Sequence, residues 1–291
     1  MKNDAWWFDV LVCPACGGAL SDGGALVRCD ACGPFPVLAG VPVLVADPYG
    51  WCARFRESIL ATLAEFDAAD AQSVEVVRAF AGERNAAPEL FGDDWTEHEL
   101  RGEAAPTPVK GVASKTLKTL FAQAEAAGPG AWLSSQVPSR AQVMVEVGCG
   151  AGERSELLAK RAEKLVVADL SLRAVLTARK RAAPFRAEVF GVVMDAQNLP
   201  LAPKSVDVLM AEHVVDLLDA PAEFFESAAA ALAKKGRLLV TTPEPIQLEE
   251  LAAAVKLKVI AEADGLPWLR VNSERFVEVY LVRALSLAAR A

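Results

Sequence analysis

Three closely spaced glycines, with a carboxylate just before them, have residue types and a spacing that could serve chemistry. The segment 143–155 reads VMVEVGCGAGERS, with glycines at Gly148, Gly150 and Gly152 and an acid at Glu146. Glycine permits positive φ and leaves the backbone open to a ligand, so the spacing predicts a turn that holds a nucleotide. The valines before this turn predict a buried strand and the leucines after it predict a helix, which together begin a βαβ unit.

The glutamate at position 153, Glu153, indicates which kind of nucleotide fits this turn. A dinucleotide fingerprint has its third glycine at this position, and a carboxylate at a helix N-terminus repels a pyrophosphate. S-adenosylmethionine (SAM) carries no phosphate but has an ammonium and a sulfonium, which suit an acidic turn. The Glu-x-Gly-x-Gly-x-Gly pattern resembles motif I of class I SAM-dependent methyltransferases. A tight strand-to-helix turn in some other α/β protein is the alternative.

An acid at the end of the next predicted strand, 164–168, supports a nucleotide site. Asp169 follows Glu146 by 23 residues, near the spacing at which an acid bonds ribose hydroxyls in βαβ nucleotide sites. A carboxylate suits this role because it can accept from both vicinal hydroxyls. The alternative is that Asp169 only caps the following helix, together with Ser171.

A second acid ends the third predicted strand, 189–194. The methyltransferase resemblance makes Asp195 the acceptor for the exocyclic amine of adenine, with the Ala196 backbone beside it. The alternative is a loop aspartate satisfied by its own turn. The complete set of predicted cofactor-binding residues is Glu146, Gly148, Gly150, Gly152, Asp169, Leu170, Asp195, Ala196 and Glu212.

One histidine follows the fourth predicted strand, where open α/β sheets bind their ligands. We predict His213 as the catalytic residue, a general base that takes a proton from the methyl acceptor near pH 7. The alternative is a non-catalytic role, in which His213 packs over the adenine or caps the next helix. The strand lacks the Asn-Pro-Pro-Tyr type of signature found in enzymes that methylate amide or adenine nitrogens.

Two Cys-x-x-Cys pairs near the N-terminus predict a metal site. Cys13 with Cys16, and Cys29 with Cys32, form two knuckles whose four thiolates suit tetrahedral Zn²⁺ in a closed structural site. Two disulfides are the alternative, and they require an oxidising compartment that nothing in the sequence supports. A redox Cys-x-x-Cys is single and opens a helix.

The segment 10–45 as a whole resembles the zinc-ribbon module of a small methyltransferase-activating partner protein. It also resembles the ribbon fused ahead of bacterial ribosomal-RNA guanine methyltransferases. The likeness lies in Cys-Pro-x-Cys, then Cys-x-x-Cys-Gly, then Gly-Val-Pro-Val-Leu. In those RNA enzymes the ribbon helps to hold nucleic acid, but here the segment is acidic.

Together these elements predict an α/β fold, a doubly wound seven-stranded sheet of the SAM-methyltransferase type. We expect a zinc ribbon at 1–46, a helical linker or lid at 47–110, and the methyltransferase domain at 111–291. The segments 265–272 and 276–285 predict the closing antiparallel pair of the sheet. Residues 85–110 are rich in acid and proline, and they form either a solvated linker anchored by Trp95 or a lid over the SAM site.

Charge separates the candidate functions. The chain carries a net charge of −8, and residues 1–110 hold eight basic and seventeen acidic side chains, so the basic footprint of a nucleic-acid binder is missing. We therefore expect a SAM-dependent methyltransferase that acts on a small molecule or a peptide. The alternatives are a ribosomal or transfer RNA methyltransferase and a non-catalytic SAM-fold binding protein. We expect no membrane span, no secretory signal and a cytoplasmic location; the oligomeric state stays open.

Overall fold

The computed structural model of the chain describes residues 5–82, 115–273 and 276–289. The predicted linker or lid at 85–110, with Trp95 and His98, lies outside these residues. The described helices are α1 (Pro48–Arg54), α2 (Arg56–Glu65), α3 (Ala71–Ala81), α4 (Lys115–Ala127), α5 (Pro129–Gln136), α6 (Glu153–Arg161), α7 (Leu172–Ala182), α8 (Pro221–Ala231) and α9 (Leu248–Ala254).

The strands are shared between an N-terminal group and a C-terminal group. The first group is β1 (Ser21–Asp22), β2 (Leu26–Cys29), β3 (Gly33–Leu38) and β4 (Val41–Leu44). The second is β5 (Ala141–Val147), β6 (Ala162–Asp169), β7 (Glu188–Met194), β8 (Val206–Glu212), β9 (Leu232–Thr242), β10 (Leu257–Ser273) and β11 (Phe276–Ala289). The strands expected from 143, 164 and 189 are therefore confirmed.

All of these strands belong to one sheet in the described part of the chain. Its order is β1-β2-β3-β4-β7-β6-β5-β8-β9-β11-β10. The central strands β7, β6, β5, β8 and β9 are parallel, and β11 joins β9 in the antiparallel sense. The chain runs outward from β5 in one direction and then returns to β8, which is the doubly wound topology that positions a ligand at the carboxyl edge.

The sheet is larger than the seven strands that we predicted. Strand β4 pairs with β7 in parallel, through Val43 beside Val193 and Leu44 beside Met194. An apolar strand such as β7 exposes unpaired N–H and C=O groups when it lies at a sheet edge. We call strands β1 to β4, with the four cysteines around them, the N-terminal module. Its strand β4 pairs with the hydrogen-bonding groups at this edge of β7, so the sheet continues from the C-terminal strands into the N-terminal module.

Further contacts fasten the N-terminal module to the segment that follows β7. The N–H of Val12 donates to the carbonyl of Pro200 at 2.9 Å, and Ala202 N–H donates to Val10 at 2.7 Å. The side-chain amide of Asn198 donates to the carbonyl of Pro14, inside the first cysteine knuckle, at 2.7 Å. The first knuckle is therefore bound directly to the loop that starts at Asp195.

The two faces of the sheet carry separate cores. The central strands are buried on both faces, as continuous Val- and Leu-rich runs in parallel sheets require. One core packs Phe224 and Phe225 of α8 and Leu248 of α9 against the sheet, and the other packs Leu158 of α6 and Leu176 of α7. Among the described helices, none is long and apolar enough to cross a membrane.

The last two strands extend past the rest of the sheet. Strand β11 pairs with β9 only from Arg283 to Ala288, whereas its earlier residues pair only with β10. Because β11 is antiparallel to β9 and Arg283 lies beside Thr242, the earlier residues extend beyond the carboxyl end of β9. The predicted closing pair is confirmed, and it is longer than the sequence indicated.

Candidate functional site

The register of the central strands places three predicted residues at one level of the carboxyl edge. Val147 of β5 lies beside Ala168 of β6 and beside Ala211 of β8. The next residue of each strand is Gly148, Asp169 and Glu212. Residues separated by up to 64 positions in sequence therefore meet at the point where the glycine turn begins.

The three glycines of the turn are needed for its conformation. Gly148, Gly150 and Gly152 have φ values of 70°, 46° and 78°, all in the left-handed region that favours glycine. A Cβ at Gly148 would overlap Val214, and one at Gly152 would come within 2.6 Å of the Cα of Ala178. Both the backbone angle and the close packing therefore require glycine here.

Asp169 closes the turn from the neighbouring strand. Its two carboxylate oxygens accept the N–H groups of Gly150 and of Ser171, each at 3.0 Å. The cap of α7 is instead Ser171, whose hydroxyl accepts the N–H of Ala174 at 3.3 Å. Burial raises the pKa of Asp169, while these backbone N–H groups act to lower it.

The side chain of Glu146 is buried next to the glycine turn. It is 4% exposed and accepts a hydrogen bond from the hydroxyl of Ser155. Burial raises the pKa of Glu146 to about 8, with a further contribution from the nearby carboxylate of Glu212. Near neutral pH this carboxyl group is therefore mostly protonated, and it links β5 to α6.

The remaining predicted nucleoside contacts lie on the β6 and β7 side of the turn. Leu170 is 39% exposed, and its carbonyl accepts the indole N–H of Trp51 at 3.1 Å. One oxygen of Asp195 accepts the N–H of Gln197 at 2.9 Å, and Ala196 begins the short 3₁₀ helix that follows. The local turn that we weighed for Asp195 is therefore present, and it holds the carboxylate at the end of β7.

Glu212 forms an ion pair with the first turn of α6. Arg154 Nε donates to Glu212 Oε2 at 2.8 Å, and Arg154 Nη2 donates to Oε1 at 3.4 Å. The two side chains are 29% and 18% exposed. Arg154 also lies against Gly130, at the start of α5, where a Cβ would overlap its guanidinium.

His213 occupies an unusual position directly after β8. Its φ is 54°, and its N–H donates to the carbonyl of Thr241 at 3.2 Å. The imidazole stacks on Trp268, with ring centroids 4.5 Å apart. Trp268 lies in the part of the β10–β11 pair that extends beyond β9, which we call the β10–β11 extension. Both ring nitrogens are buried, and neither has a hydrogen-bond partner among the described residues. Burial lowers the pKa of His213, which favours the neutral ring.

A cavity opens on the other side of the same extension. It has a volume of about 340 Å³ and lies at the carboxyl end of β9. Its walls include Glu244, Glu249 and Asp264, the apolar side chain of Leu281, and Arg283, which is paired with Glu249. The β10–β11 extension therefore has Trp268 facing His213 and an acidic cavity beside it.

The four cysteines of the N-terminal module converge. Their Sγ atoms all lie within 4.8 Å of one another, with 3.6 Å between Cys16 and Cys29. All four are free thiols rather than disulfides. The backbone N–H of Cys32 is the main cause that lowers the pKa of Cys29 to about 7, while the neighbouring thiols raise that of Cys32 to about 12. This set of donors could hold one metal ion.

Sequence reasoning missed three residues of this edge. Arg154 follows the glycine turn by two residues, a position where a cation could have been noted, but its partner Glu212 is 58 residues away. Trp51 and Trp268 come from the linker and from the terminal hairpin, and no local pattern connects either with the turn. All three are brought to the edge by tertiary packing.

Part of the chain matches a known protein family. Residues 145–240, from β5 to β9, match the family described as methyltransferase domain. The matched segment is about a third of the chain. It contains the glycine turn, Asp169, Asp195 and His213, whereas the cysteine module and the β10–β11 extension lie outside it.

Two curated relatives come from two strains of Mycobacterium tuberculosis, and both bear the name S-adenosylmethionine-dependent methyltransferase as an inferred assignment. Each is 34% identical over 106 residues, which cover 36% of this chain. The chain matches only 37% of the length of these relatives.

Similar solved structures include the YcgJ protein of Bacillus subtilis, with 12% identity and a TM-score of 0.47. That match covers 56% of this chain and 98% of that one. Another is a complex between the Haloferax volcanii Trm112 methyltransferase activator and a methyltransferase assigned by inference. It has 14% identity and a TM-score of 0.46, and covers 62% of this chain and 97% of that one.

Proposed function

We propose that this protein is a SAM-dependent methyltransferase that acts on a small molecule or a peptide. The observation that carries the proposal is the bond from the Gly150 N–H to Asp169, which joins the glycine turn to the acid of the neighbouring strand. A carboxylate has about four lone-pair positions, and two of them are used by Gly150 and Ser171. Two remain for the vicinal hydroxyls of a ribose, so the residues present fit the nucleoside.

The chain's own residues then have distinct roles. Asp169 would hold the ribose, Leu170 would contact the nucleoside, and Asp195 with the Ala196 backbone would bind the adenine amine. When bound, SAM supplies a methyl group that its sulfonium already activates. The protein therefore mainly orients the acceptor and excludes water, and a base is needed only when the acceptor arrives protonated. His213, a neutral imidazole without a partner among the described residues, is our proposed base.

The cysteine cluster supports a structural zinc ion. Zn–S bonds of about 2.3 Å in a tetrahedron give sulfur–sulfur distances of roughly 3.8 Å. The observed Sγ separations, all within 4.8 Å, are compatible with that arrangement. Cys13, Cys16, Cys29 and Cys32 would hold the ion, and its role would be to stabilise the knuckles rather than to take part in methyl transfer.

Replacing Asp169 tests the proposal directly. We expect Asp169→Ala to weaken binding of SAM or S-adenosylhomocysteine by roughly 1.5–3 kcal/mol, about 10- to 100-fold, because a hydrogen bond to a charged group is lost. Isothermal calorimetry measures the change. Asp207→Ala is the matched control, since that carboxylate also accepts two backbone N–H groups, each at 2.9 Å, but at the start of β5.

The two variants separate a ligand contact from a fold effect. Unchanged affinity in Asp169→Ala, or an equal loss in Asp207→Ala, contradicts the assignment of Asp169 to the ribose. Wild-type protein that binds neither SAM nor its demethylated product contradicts the proposed function itself. Incubation with labelled SAM and small-molecule or peptide extracts, followed by mass analysis, then identifies the acceptor.

The second candidate function is methylation of ribosomal or transfer RNA. The order of ribbon and methyltransferase domain favours it, but the charge of −8 does not. We expect no appreciable RNA affinity at physiological salt, because phosphate contacts by cations supply most non-specific binding. A gel shift with transfer or ribosomal RNA checks this. Binding that strengthens steeply as salt is lowered would favour the RNA methyltransferase instead.

A further inference from the structure

The cavity at the carboxyl end of β9 lies outside the segment that matches the methyltransferase family. The family match ends at residue 240, whereas the lining begins at Thr242 and continues into α9, β10 and β11. The cavity is therefore built by the terminal part of this chain and not by the matched segment. Its volume of about 340 Å³ is near the lower end of the range for ligand sites, which suits a small molecule.

The strand order places this cavity close to the proposed base. The predicted nucleoside contacts lie at the ends of β6 and β7, on one side of the glycine turn, and β8 and then β9 lie on the other side. Glu212, the residue before His213, is paired with Thr241, and the cavity begins at the next residue, Thr242. Neighbouring strands are about 4.8 Å apart. A molecule in the cavity is therefore one strand away from His213 and on the opposite side of it from the nucleoside contacts.

The lining of the cavity carries more negative charge than its cation offsets. Among the described lining residues Arg283 is the only cation. Its Nε donates to Glu249 Oε1 at 3.0 Å and its guanidinium also pairs with Glu262, so two carboxylates already share its charge. Glu244 and Asp264 have no ion-pair partner in the part of the chain that the structure describes. Two carboxylates of the lining are therefore available to a cation.

A further acid lies next to this lining. Asp216 is beside Thr242, and its Oδ1 atom is buried without a hydrogen-bond partner among the described residues. Burial raises the pKa of Asp216, and the charge of Glu244 contributes to the same shift. Because like charges disfavour one another, a cation bound at Glu244 would reduce this repulsion.

An exposed apolar surface continues from the cavity along the β10–β11 extension. Leu281, which lines the cavity, is 67% exposed, and Val279 is 61% exposed. Side chains alternate along a strand, so both point to the same face of the sheet as Arg283. Their partners across the pair are Pro267 and Leu269, which are apolar as well. Contiguous apolar side chains beside an open cavity are typical of a ligand-binding surface.

We propose that this cavity binds the methyl acceptor, and that the acceptor is a small molecule with a cationic group and an apolar body. The cation lies against Glu244 and Asp264, and the apolar body lies on Leu281 and Val279. The inference rests on the proposed function and names the class of substrate for it. Charge complementarity selects the cation, because an anion in the same place would meet two unpaired carboxylates.

The competing explanation is a solvated acidic surface that binds no particular molecule. Such a surface attracts every small cation weakly and does not distinguish one apolar body from another. A built site requires the charge and the apolar body together. Hexylamine, 1-hexanol and hexanoate share one alkyl chain and differ in the charge of the head group, while ethylamine has the charge without the long chain. This set of probes separates the two explanations.

The experiment is ligand-observed NMR with these probes on the full-length protein saturated with S-adenosylhomocysteine. We expect hexylamine to bind most tightly, 1-hexanol roughly threefold to tenfold more weakly, and hexanoate and ethylamine without saturation. The double variant Glu244→Gln with Asp264→Asn should lower the hexylamine affinity roughly threefold to tenfold, the size expected for two partly exposed ion pairs. Its affinity for 1-hexanol should be unchanged, because that probe carries no charge.

Matched controls exist for both parts of the site. Glu250→Gln removes a charge from the first turn of α9, beside Glu249 but outside the lining, and should leave the hexylamine affinity unchanged. Leu281→Ala should weaken hexylamine and 1-hexanol to the same extent, because both lose the same apolar contact. Ile260→Ala is its control, since Ile260 is also exposed on β10 but does not line the cavity.

The outcomes are distinguishable. Hexanoate that binds as tightly as hexylamine, hexylamine that does not bind, or an unchanged hexylamine affinity in the double variant overturns the inference and leaves the proposed function intact. An equal loss in Glu250→Gln overturns it as well, because overall charge then explains the binding. A wild-type protein that binds neither SAM nor its demethylated product overturns the proposed function, whatever the probes show.

Discussion

A Cys29→Ser variant is expected to lose its tightly bound metal and the fold of the first 46 residues. Four thiolates close one site, and a serine hydroxyl is a poor replacement for one of them. So small a segment has little core of its own, and structural zinc contributes about 10–16 kcal/mol to the folding of comparable peptides. Wild-type protein purified without added metal should contain one zinc per chain by elemental analysis, and the variant close to none.

Cys52→Ser is the matched control for this experiment. Cys52 is fully buried in α1 and does not belong to the cluster, so its replacement should leave the zinc content at one per chain. Limited proteolysis should cleave the first 46 residues of Cys29→Ser and spare those of Cys52→Ser. A wild-type zinc content near zero, or an unchanged content in Cys29→Ser, removes the metal site from the proposal.

The contacts of the module extend the expected effect of metal loss. The Pro14 carbonyl in the first knuckle accepts the amide of Asn198, three residues after Asp195. When the knuckle unfolds, the loop that carries the proposed adenine contact loses this partner and the β4 strand beside β7. We therefore expect weaker binding of S-adenosylhomocysteine in Cys29→Ser as well, measured by the same calorimetry.

Replacing His213 is expected to have the largest effect on turnover. If His213 is the general base, turnover falls roughly 10²- to 10⁴-fold while SAM affinity is nearly unchanged. His213→Asn is the preferred variant, because asparagine tolerates the φ of 54° better than most residues and alanine does not share this property. Rates are measured with the acceptor that labelled SAM identifies.

The alternative role of His213 gives the opposite pattern. An imidazole that only forms a wall of the cofactor site lowers SAM affinity when it is removed and leaves turnover at saturating SAM intact. A variant in which both quantities are unchanged rules out the two roles together. Attention then moves to His98, the other histidine of the chain.

The protonation of His213 can be observed directly. Because the chain has only two histidines, His98→Gln leaves a single imidazole for titration by NMR. Burial beneath Trp268 should hold the pKa of His213 below its ordinary value of about 6.5, so the ring is neutral at pH 7. The unfolded chain then binds this proton first, and the free energy of unfolding decreases as the pH falls below about 6.5. A pKa above 6.5 contradicts this environment.

The sequence by itself determined the local parts of the site. Glycines at three alternate positions define the turn, because only glycine adopts its left-handed angles at no steric cost. Mostly apolar runs of five or six residues, each followed by an acid or a glycine, predicted strands whose carboxyl ends carry Asp169 and Asp195. The cysteine spacing predicted four converging thiols, since each knuckle is a short-range structure.

Only the tertiary structure decided which of these residues act together and what lies between them. Glu146 and Glu212 look equivalent in sequence, yet the packing of α6 buries the first with Ser155 and pairs the second with Arg154. The contact of Trp268 with His213, and the pairing of β4 with β7, join segments more than 50 residues apart. Such contacts depend on how the whole sheet packs, because burial and close approach are properties of the assembled chain, and no local spacing encodes them.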